Sequence, residues 1–150
     1  MEDIIQTYAK KVNMTEFLDH EPTKLSGGHK QRVAIAGILA MHPSIIILDE
    51  ATSMLDPRGK IEINNLVHEL NQTQNMTILS ITHDIEEAAL SDHVILLDNG
   101  HIIDEGTPEK VLTQKEELER IGLDVPFAYK ISKKLHDSGY PIKPIINKEK

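Results

Sequence analysis

The stretch LSGGHKQRVAIAGILAMHPSIIILDEATSMLD, from Leu25 to Asp56, contains the residues that decide the fold and the chemistry. Its front half reads as a helix from about Gly27 to Met41, with Ser26 at the N-cap position. Gly27 and Gly28 fall in the first turn. A glycine costs up to roughly 1 kcal/mol relative to alanine in a helix interior and less near an end. Bare backbone at a helix N-terminus lets an anion approach the unpaired N–H groups, and the Ser26 hydroxyl can add a donor. We therefore expect an anion site at this point.

The back half of the same stretch reads as a buried strand that ends in two acids. Ser44 to Leu48 is an apolar run without alternation, which favours a central parallel strand covered on both faces. Asp49 and Glu50 follow directly, and consecutive side chains of a strand point to opposite sides. One acid can then hold Mg²⁺ while the other faces an attacking water. Acids at the carboxyl end of such a strand lie where open α/β sheets bind ligands.

The rest of the chain alternates helical and strand patterns. Longer helices are predicted for residues 1–18, 57–71 and 84–90, and further strands for residues 76–82, 93–97 and 101–104. Asn99-Gly100 predicts a two-residue hairpin turn between the last two strands. Short charged helices are predicted for residues 109–112, 115–121 and 126–135. This order predicts an α/β fold, in which helices flank a mostly parallel sheet with an antiparallel addition at its edge.

Apolar side chains recur at helical spacing on the predicted helices and indicate packed faces rather than sites. The first helix is expected to pack through Ile4, Ile5, Tyr8 and Val12. The helix after Pro57 is expected to pack through Ile63, Leu66, Val67 and Leu70. Near the C-terminus, the stripe of Phe127, Ile131 and Leu135 can pack against its own domain or a twin subunit. The last residues, including Lys148 to Lys150, are expected to be loose.

Charge and composition exclude several classes of function. The 150 residues carry 24 acidic and 16 basic side chains, so the net charge is −8 and a nucleic-acid partner is not expected. The chain has no cysteine, which excludes disulfides and thiolate metal sites. Its apolar runs are far shorter than the ~20 residues of a membrane helix, and no signal-peptide pattern is present. Any link to a membrane is therefore expected through a partner.

Four segments, in order, resemble the motifs of ABC-type ATPases. Leu25 to Arg32 resembles the signature motif, Ile45 to Glu50 resembles the Walker B strand, and Ser53 to Asp56 resembles the D-loop. His83, which follows the apolar strand 76–82, matches the switch histidine. One motif alone would be a modest signal, but four in the order and near the spacing of the family are a strong one.

The amino-acid sequence of one segment indicates a branch of that family. Asp49 to Pro57, DEATSMLDP, resembles the ATPase subunits of energy-coupling-factor (ECF) importers of vitamins and transition-metal ions. The resemblance covers roughly residues 12–142. His29 departs from the family, which usually has glutamine there. The change leaves the backbone anion site intact but alters the side chain that a nucleotide would meet.

The resemblance implies a P-loop NTPase-like ABC ATPase core with a C-terminal helical extension, and ATP and Mg²⁺ as ligands. Ser26 to His29 would contact, in trans, the nucleotide held by a second ABC ATPase subunit. Asp49 would hold Mg²⁺, Glu50 would act as the catalytic base or orient the attacking water, and His83 would contact the γ-phosphate. The D-loop residues expected to link the two sites of the dimer are Ser53 and Asp56.

The resemblance also implies partners, a location and a domain order. An ECF ATPase subunit pairs with a second, identical or related ATPase subunit. The pair binds a transmembrane coupling subunit, and with it a substrate-binding membrane subunit, at the cytoplasmic face of the cell membrane. By the same resemblance, residues 1–22 end a helical subdomain, residues 23–107 form the ATPase core, and residues 108–150 form the extension where subunits meet.

A phosphate-binding loop of the form GxxxxGK[ST] is missing from the sequence. The only Gly-Lys pair, Gly59-Lys60, is followed by Ile61 and has Met54 where the first glycine should stand. A helix N-terminus contributes about 0.3–1 kcal/mol to anion binding, whereas a dissociation constant of about 1 mM needs about 4.1 kcal/mol. We therefore expect that the chain alone hardly binds ATP and that it is the C-terminal portion of a longer ATPase subunit.

Two other functions stay open on the sequence alone. The chain could belong to a soluble ABC ATPase outside transport, although its acidic charge and C-terminal extension count against that reading. It could also be a non-catalytic module that lends its signature helix to a full-length partner. Taken singly, Asp49-Glu50 would read as a solvated strand end and His83 as a structural histidine, but the neighbouring motifs favour a site.

Overall fold

The computed structural model describes residues 2–147, so the predicted loose end at residues 148–150 lies outside the described residues. The chain forms two compact units, which divide between Ile81 and Thr82. Each unit has its own apolar core. The three segments expected from the resemblance, residues 1–22, 23–107 and 108–150, remain a prediction.

The first unit contains three helices and a parallel pair of strands. Its elements in order are helix α1 (Glu2–Lys11), 3-10 turns at Thr15–Phe17 and Pro22–Lys24, helix α2 (Gly27–Leu39), strand β1 (Ile45–Asp49), helix α3 (Pro57–Gln74) and strand β2 (Thr77–Ile81). Strands β1 and β2 pair in parallel, with Ile45 opposite Thr77 and Asp49 opposite Ile81. The strand–helix–strand order predicted for this part of the chain is confirmed.

The core of the first unit lies between the three helices and one face of the strands. On α3, the predicted packing face is confirmed, because Ile63, Leu66 and Leu70 are all buried and Val67 is partly buried. Helix α3 runs three residues longer than predicted and ends where Asn75 adopts a left-handed conformation with φ +50°. Residues from α1, α2 and β1 complete the cluster: Tyr8, Ala9, Val12, Met14, Ile35, Leu39, Ile46 and Leu48.

The prediction of one helix over residues 1–18 is wrong, because α1 ends at Lys11. Asn13 takes a left-handed conformation with φ +56°, and its N–H donates to the Lys10 carbonyl at 3.1 Å. The Met14 N–H reaches back to the Ala9 carbonyl at 2.7 Å, which completes a Schellman motif. Met14 is buried beneath this turn. The stripe is also narrower than predicted: Tyr8 and Val12 are buried, but Ile4 and Ile5 are about half exposed.

The prediction that β1 is covered on both faces is also wrong for the described residues. Ile46 and Leu48 are buried, whereas Ile45 and Ile47 are 59% and 60% exposed. The sheet of this unit has only two strands in the part of the chain that the structure describes, and the apolar core packs against one face of it. A strand that is apolar on both sides therefore has one uncovered face here.

The second unit is built around a hairpin. Its elements are helix α4 (Ile85–Ala88), strands β3 (Val94–Asp98) and β4 (His101–Gly106), and helices α5 (Pro108–Val111), α6 (Lys115–Arg120) and α7 (Phe127–Asp137). The predicted turn at Asn99-Gly100 is confirmed, with both residues at positive φ. In the described part of the chain the hairpin forms a two-stranded sheet of its own, so the predicted antiparallel addition to the parallel sheet is not seen there.

The three predicted C-terminal helices are present, and Gly122 and Gly139 follow the last two at positive φ, as their C-cap positions require. Leu118 is fully buried in the core of this unit, together with Val111 and Leu112. On α7, Phe127 is 67% exposed and Ile131 is 44% exposed. In the described part of the chain, no helix has the length and the apolar character needed to cross a membrane.

Two exposed ion pairs brace the second unit. The Asp104 carboxylate accepts hydrogen bonds from Lys110 Nζ at 2.7 Å, the Glu105 N–H at 2.8 Å and the Gln114 side-chain amide. These donors, the Lys110 bond foremost, hold the pKa of Asp104 below its ordinary value. The Lys130 ammonium, 2.6 Å from Asp124, likewise lowers the pKa of that carboxyl. Both carboxylates are therefore expected to stabilise the folded unit.

Acid is expected to destabilise the second unit through Asp104. Because the folded pKa lies below the ordinary value of 3.8, the contribution is fully present above that value and is lost as the pH falls through the folded pKa. Urea unfolding between pH 5 and pH 2.5, followed by backbone amide signals of β3 and β4, checks this. The variant Asp104→Asn should show a shallower pH dependence than the control Asp92→Asn, which changes an exposed acid. Equal slopes for the two variants would contradict the assignment.

Candidate functional site

The N-terminus of α2 has the geometry expected of an anion site. Ser26 lies in an extended conformation, and its Oγ accepts a hydrogen bond from the His29 N–H at 3.2 Å. The Ser26 carbonyl accepts from the Lys30 N–H at 3.0 Å. Among the described residues, the N–H groups of Gly27 and Gly28 have no partner, as is usual for the first positions of a helix. The predicted N-cap is confirmed, and two adjacent donors remain for a ligand.

The His29 side chain lies against the 3-10 turn at Thr15–Phe17. Its ring lies 4.1 Å from the Phe17 ring between centroids, at a tilt of 44°. The half-buried imidazole thus packs against an aromatic ring, and the backbone N–H completes the Ser26 cap. A contact of this side chain with a nucleotide remains a prediction.

The two acids leave the end of β1 in different ways. Asp49 continues the exposed face of the strand that carries Ile45 and Ile47. The Glu50 N–H donates to the Ile81 carbonyl at 2.9 Å, so its backbone is tied to the end of β2. Glu50 then adopts φ +49°, a left-handed conformation that costs a residue other than glycine roughly 1–3 kcal/mol. Strain of this kind persists where the surrounding structure holds it, and it sets the direction of the Glu50 side chain.

A series of local hydrogen bonds connects Glu50 to the D-loop segment, Ser53 to Asp56. The Ser53 N–H and Oγ both donate to the Glu50 carbonyl, at 3.1 and 2.8 Å. The Leu55 N–H donates to the Thr52 carbonyl at 3.1 Å, and Thr52 is buried. Asp56 caps α3, because its Oδ1 accepts from the Gly59 N–H at 3.3 Å. The structure therefore places Glu50, Ser53 and Asp56 in consecutive turns that directly follow Asp49, the last residue of β1.

His83 lies in the second unit and is exposed. It stands between the end of β2 and the N-cap of α4, where Asp84 Oδ1 accepts from the Glu86 N–H at 3.1 Å. The Asp84 N–H in turn donates to Thr82 Oγ1 at 3.0 Å. His83 is thus held at the apex of a short hydrogen-bonded turn. The other candidate residues belong to the first unit, and the role of His83 remains a prediction.

The residues at the end of β1 fit a magnesium ion held in the manner of nucleotide enzymes. In the described part of the chain, no three His, Cys, Asp or Glu side chains converge as a metal cage. Mg²⁺ in phosphate-transfer sites keeps several waters and takes only one or two protein carboxylates besides the phosphate oxygens. The Asp49 carboxylate is exposed, and its role as one such ligand remains a prediction.

Two residues next to the site were not singled out from the sequence. Arg32, in the signature motif, is buried and hydrogen-bonded to the Val12 carbonyl and to Glu62. Gly59, considered above only as part of a Gly-Lys pair, is buried against the Asp56 carboxylate. A charged residue inside the otherwise apolar stripe of α2 was the one available signal for Arg32. The position of Gly59 three residues after an N-cap aspartate gave no signal of close packing.

Comparison with known proteins agrees with this geometry. A model of the ABC transporter family matches residues 1–53. The energy-coupling factor transporter ATP-binding protein EcfA1 of Geobacillus kaustophilus is 53% identical over 143 residues, which are 95% of this chain and 51% of that protein. The corresponding protein of Ligilactobacillus salivarius is 56% identical over 133 residues, 89% of this chain and 47% of that one. The chain thus spans about half the length of the curated relatives it matches.

Solved structures show the same fold. The protein cbiO1 of Clostridium perfringens, part of the ABC transporter complex cbiONQ, matches with a TM-score of 0.71 and 36% identity, over 80% of this chain and 48% of that one. A dimeric ATP-binding cassette in a post-hydrolysis state, bound to ADP and Pi, matches with a TM-score of 0.61 and 34% identity, over 71% of this chain and 46% of that one. The expected P-loop NTPase fold class is confirmed. By sequence and by fold, the chain is therefore similar to ABC-type ATP-binding proteins and spans about half of their length.

Proposed function

We propose that the chain is the part of an ECF-type ABC ATPase that supplies the signature helix and the hydrolytic carboxylates. The observation that carries the proposal is the open pair of N–H groups at Gly27 and Gly28, in the same compact unit as Asp49 and Glu50. The identity of 50–56% to ECF transporter ATP-binding proteins supports the assignment to that branch. The complete protein would power uptake of vitamins or transition-metal ions through membrane subunits.

Each residue of the site has a separate chemical task in this proposal. The N–H groups of Gly27 and Gly28 donate to a phosphate oxygen, and the Ser26 hydroxyl, which accepts in the cap, still has a proton to donate. Glu50 takes a proton from the attacking water or orients it, and His83 donates to the γ-phosphate. Asp49 holds Mg²⁺, which, when bound, offsets the negative charge on the phosphate oxygens.

The phosphate-binding loop must come from residues that this chain does not contain. In the proposed arrangement, the nucleotide lies between that loop and the signature helix of a second ATPase subunit. Ser26, Gly27 and Gly28 therefore act in trans, and Asp56 links the two sites. The transmembrane coupling subunit and the substrate-binding membrane subunit would hold the pair at the cytoplasmic face of the membrane. The acidic net charge of −8 gives no support to a nucleic-acid partner.

Equilibrium binding of a fluorescent ATP analogue with Mg²⁺ tests this division of labour. One sample is the 150-residue chain, and the other is a chimaera in which the part of the Geobacillus relative that the chain does not span is joined in front of it. We expect saturable binding by the chimaera, and for the chain alone a dissociation constant above about 1 mM, because a helix N-terminus supplies too little free energy. The added segment alone is the control. Tight binding by the 150-residue chain would contradict the proposal.

The preformed cap at Ser26 also favours a second candidate function, in which the chain only lends its signature helix to a full-length partner. The variant Ser26→Arg tests whether the signature helix acts in trans, because it fills the anion site with a long cation but lies on an exposed turn. A lent helix predicts that the variant loses stimulation of the partner's turnover and keeps binding to the partner. If Glu50→Gln removes that stimulation as well, the chain contributes a hydrolytic carboxylate in addition to its signature helix.

A further inference from the structure

The first turns of α2 and α3 lie directly against each other. A Cβ built on Gly28 would lie 4.0 Å from the Gly59 Cα, so glycines face each other where the two helices come together. A Cβ built on Gly27 would lie 3.4 Å from Leu55 Cδ2 and 3.8 Å from the Met54 carbonyl oxygen. A methyl group at either position would make only ordinary van der Waals contacts, so the first turn of α2 lies beside the D-loop and the start of α3 of the same chain.

An ion pair fixes the same two helices one turn further along. Arg32 is 8% exposed, and its Nη1 donates to the Val12 carbonyl at 3.0 Å, where the chain leaves α1. Its Nη2 donates to Glu62 Oε2 at 3.1 Å. The other Glu62 oxygen lies 3.4 Å from Arg58 Nε. Because a guanidinium is a rigid fork with donors in fixed directions, Arg32 sets both the spacing and the rotation of α2 against α3.

At position 59, between the D-loop and the Arg32–Glu62 ion pair, glycine is the one residue type that fits without a shift of neighbouring atoms. Its N–H donates to Asp56 Oδ1 at 3.3 Å, and a Cβ at this position would lie 2.9 Å from the same oxygen and 3.4 Å from Leu55 Cβ. A methyl group would therefore push the Asp56 carboxylate away from the start of α3 or push α3 away from the D-loop. The first shift displaces the D-loop carboxylate, and the second moves α3 relative to Gly28 on the neighbouring helix.

We infer that Arg32 and Gly59 are positioning residues that hold the signature helix and the D-loop as one body. A displacement of the N–H pair at Gly27 and Gly28 then carries Asp56 with it, and the reverse holds as well. The identification of these two segments as a signature helix and a D-loop rests on the proposed function. The contacts that carry the inference lie wholly within the first unit, and they require no nucleotide.

Hydrogen exchange in the full 150-residue chain tests the coupling without reference to ATP. We expect Gly59→Ala to speed exchange of the α2 amides at residues 30–34 by about tenfold or more, although the change is on the other helix. Amides of β1 and β2 should keep their rates. The matched control is Gly37→Ala, which adds the same methyl group to α2 where nothing lies within 4 Å. Unchanged rates at residues 30–34, or an equal rise in both strands, would overturn the inference.

A second pair of variants keeps the test decisive if Gly59→Ala does not fold. Arg32→Met removes both donors of the fork, and the control Lys30→Met changes an exposed cation on the same helix. We expect Arg32→Met to speed exchange at the α3 amides 60–63, with β1 and β2 unchanged. Equal effects of the two variants would overturn the inference.

Turnover of the chimaera gives a readout that a merely structural role would not change. Gly59→Ala should lower kcat by about tenfold or more, because the D-loop and the N–H pair at Gly27 and Gly28 are displaced together. Binding of the ATP analogue, for which the added phosphate-binding loop supplies most of the free energy, should be preserved. Wild-type kcat in Gly59→Ala would overturn the inference and leave the proposed function intact. A wild-type chimaera that neither binds nor hydrolyses ATP would refute the proposed function, and the exchange measurements would still decide whether α2 and the D-loop move together.

Discussion

Replacing Glu50 by glutamine is expected to slow ATP turnover by the chimaera by roughly 10²–10⁴-fold, the range typical of a removed general base. Glutamine keeps the size of the side chain and its ability to accept a hydrogen bond, but it cannot take a proton from water. The backbone of Glu50 is held by the Ile81 carbonyl and by Ser53, so the variant should keep the φ of +49° and the turn into the D-loop. Binding of the ATP analogue should be unchanged or tighter.

The steady-state rate of phosphate release, measured beside analogue binding on the same preparation, checks this result. Glu69→Gln is the matched control, because Glu69 is an exposed acid on α3 that has no part in the proposed chemistry. A Glu50→Gln chimaera that binds the analogue and hydrolyses ATP at the rate of the control would show that another group activates the water. His83 and Asp49 would then be the next residues to vary.

Local signals predicted those parts of the site that depend on a single turn of chain. Ser26 before two glycines predicted the N-cap, and its Oγ does accept from the His29 N–H. Asn99-Gly100 predicted the hairpin turn, because both residues tolerate positive φ. In each case the residues that make the structure are within four positions of one another. Boundaries that follow such caps needed no tertiary information.

Tertiary contacts decided the features that were missed. The end of α1 depends on Asn13 in a left-handed conformation and on the burial of Met14. The residues around Asn13 still follow a helical pattern, so the asparagine alone did not indicate the end of the helix. The left-handed Glu50 cannot be read from an acidic pair. The Arg32–Glu62 hydrogen bond joins residues thirty positions apart, so the periodicity of neither helix predicts it. The open face of β1 was missed because an apolar run predicts coverage and does not name the partner.

Replacing Ile63 by alanine is expected to reduce the free energy of unfolding of the first unit by about 2–5 kcal/mol, because it leaves a cavity in a packed core. Ile63 is 1% exposed and lies among the largest fully buried side chains of the unit. Urea unfolding followed by backbone amide signals of β1 and β2 gives the value for this unit alone. A change of no more than about 0.5 kcal/mol, the range of a surface substitution, would mean that α3 does not hold the core as described.

The contrast with Ile61 makes that measurement informative about more than the core. Ile61 is on the same helix, two residues away, and it is 61% exposed, so Ile61→Ala should change the free energy of unfolding by no more than about 0.5 kcal/mol. The two substitutions remove the same atoms from the same kind of backbone, so the difference between them isolates burial. Equal losses for Ile61→Ala and Ile63→Ala would mean that the face of α3 carrying Ile61 is also covered in solution. A loss confined to Ile63→Ala would place the core of the first unit on one side of α3, the side that also carries Leu66 and Leu70.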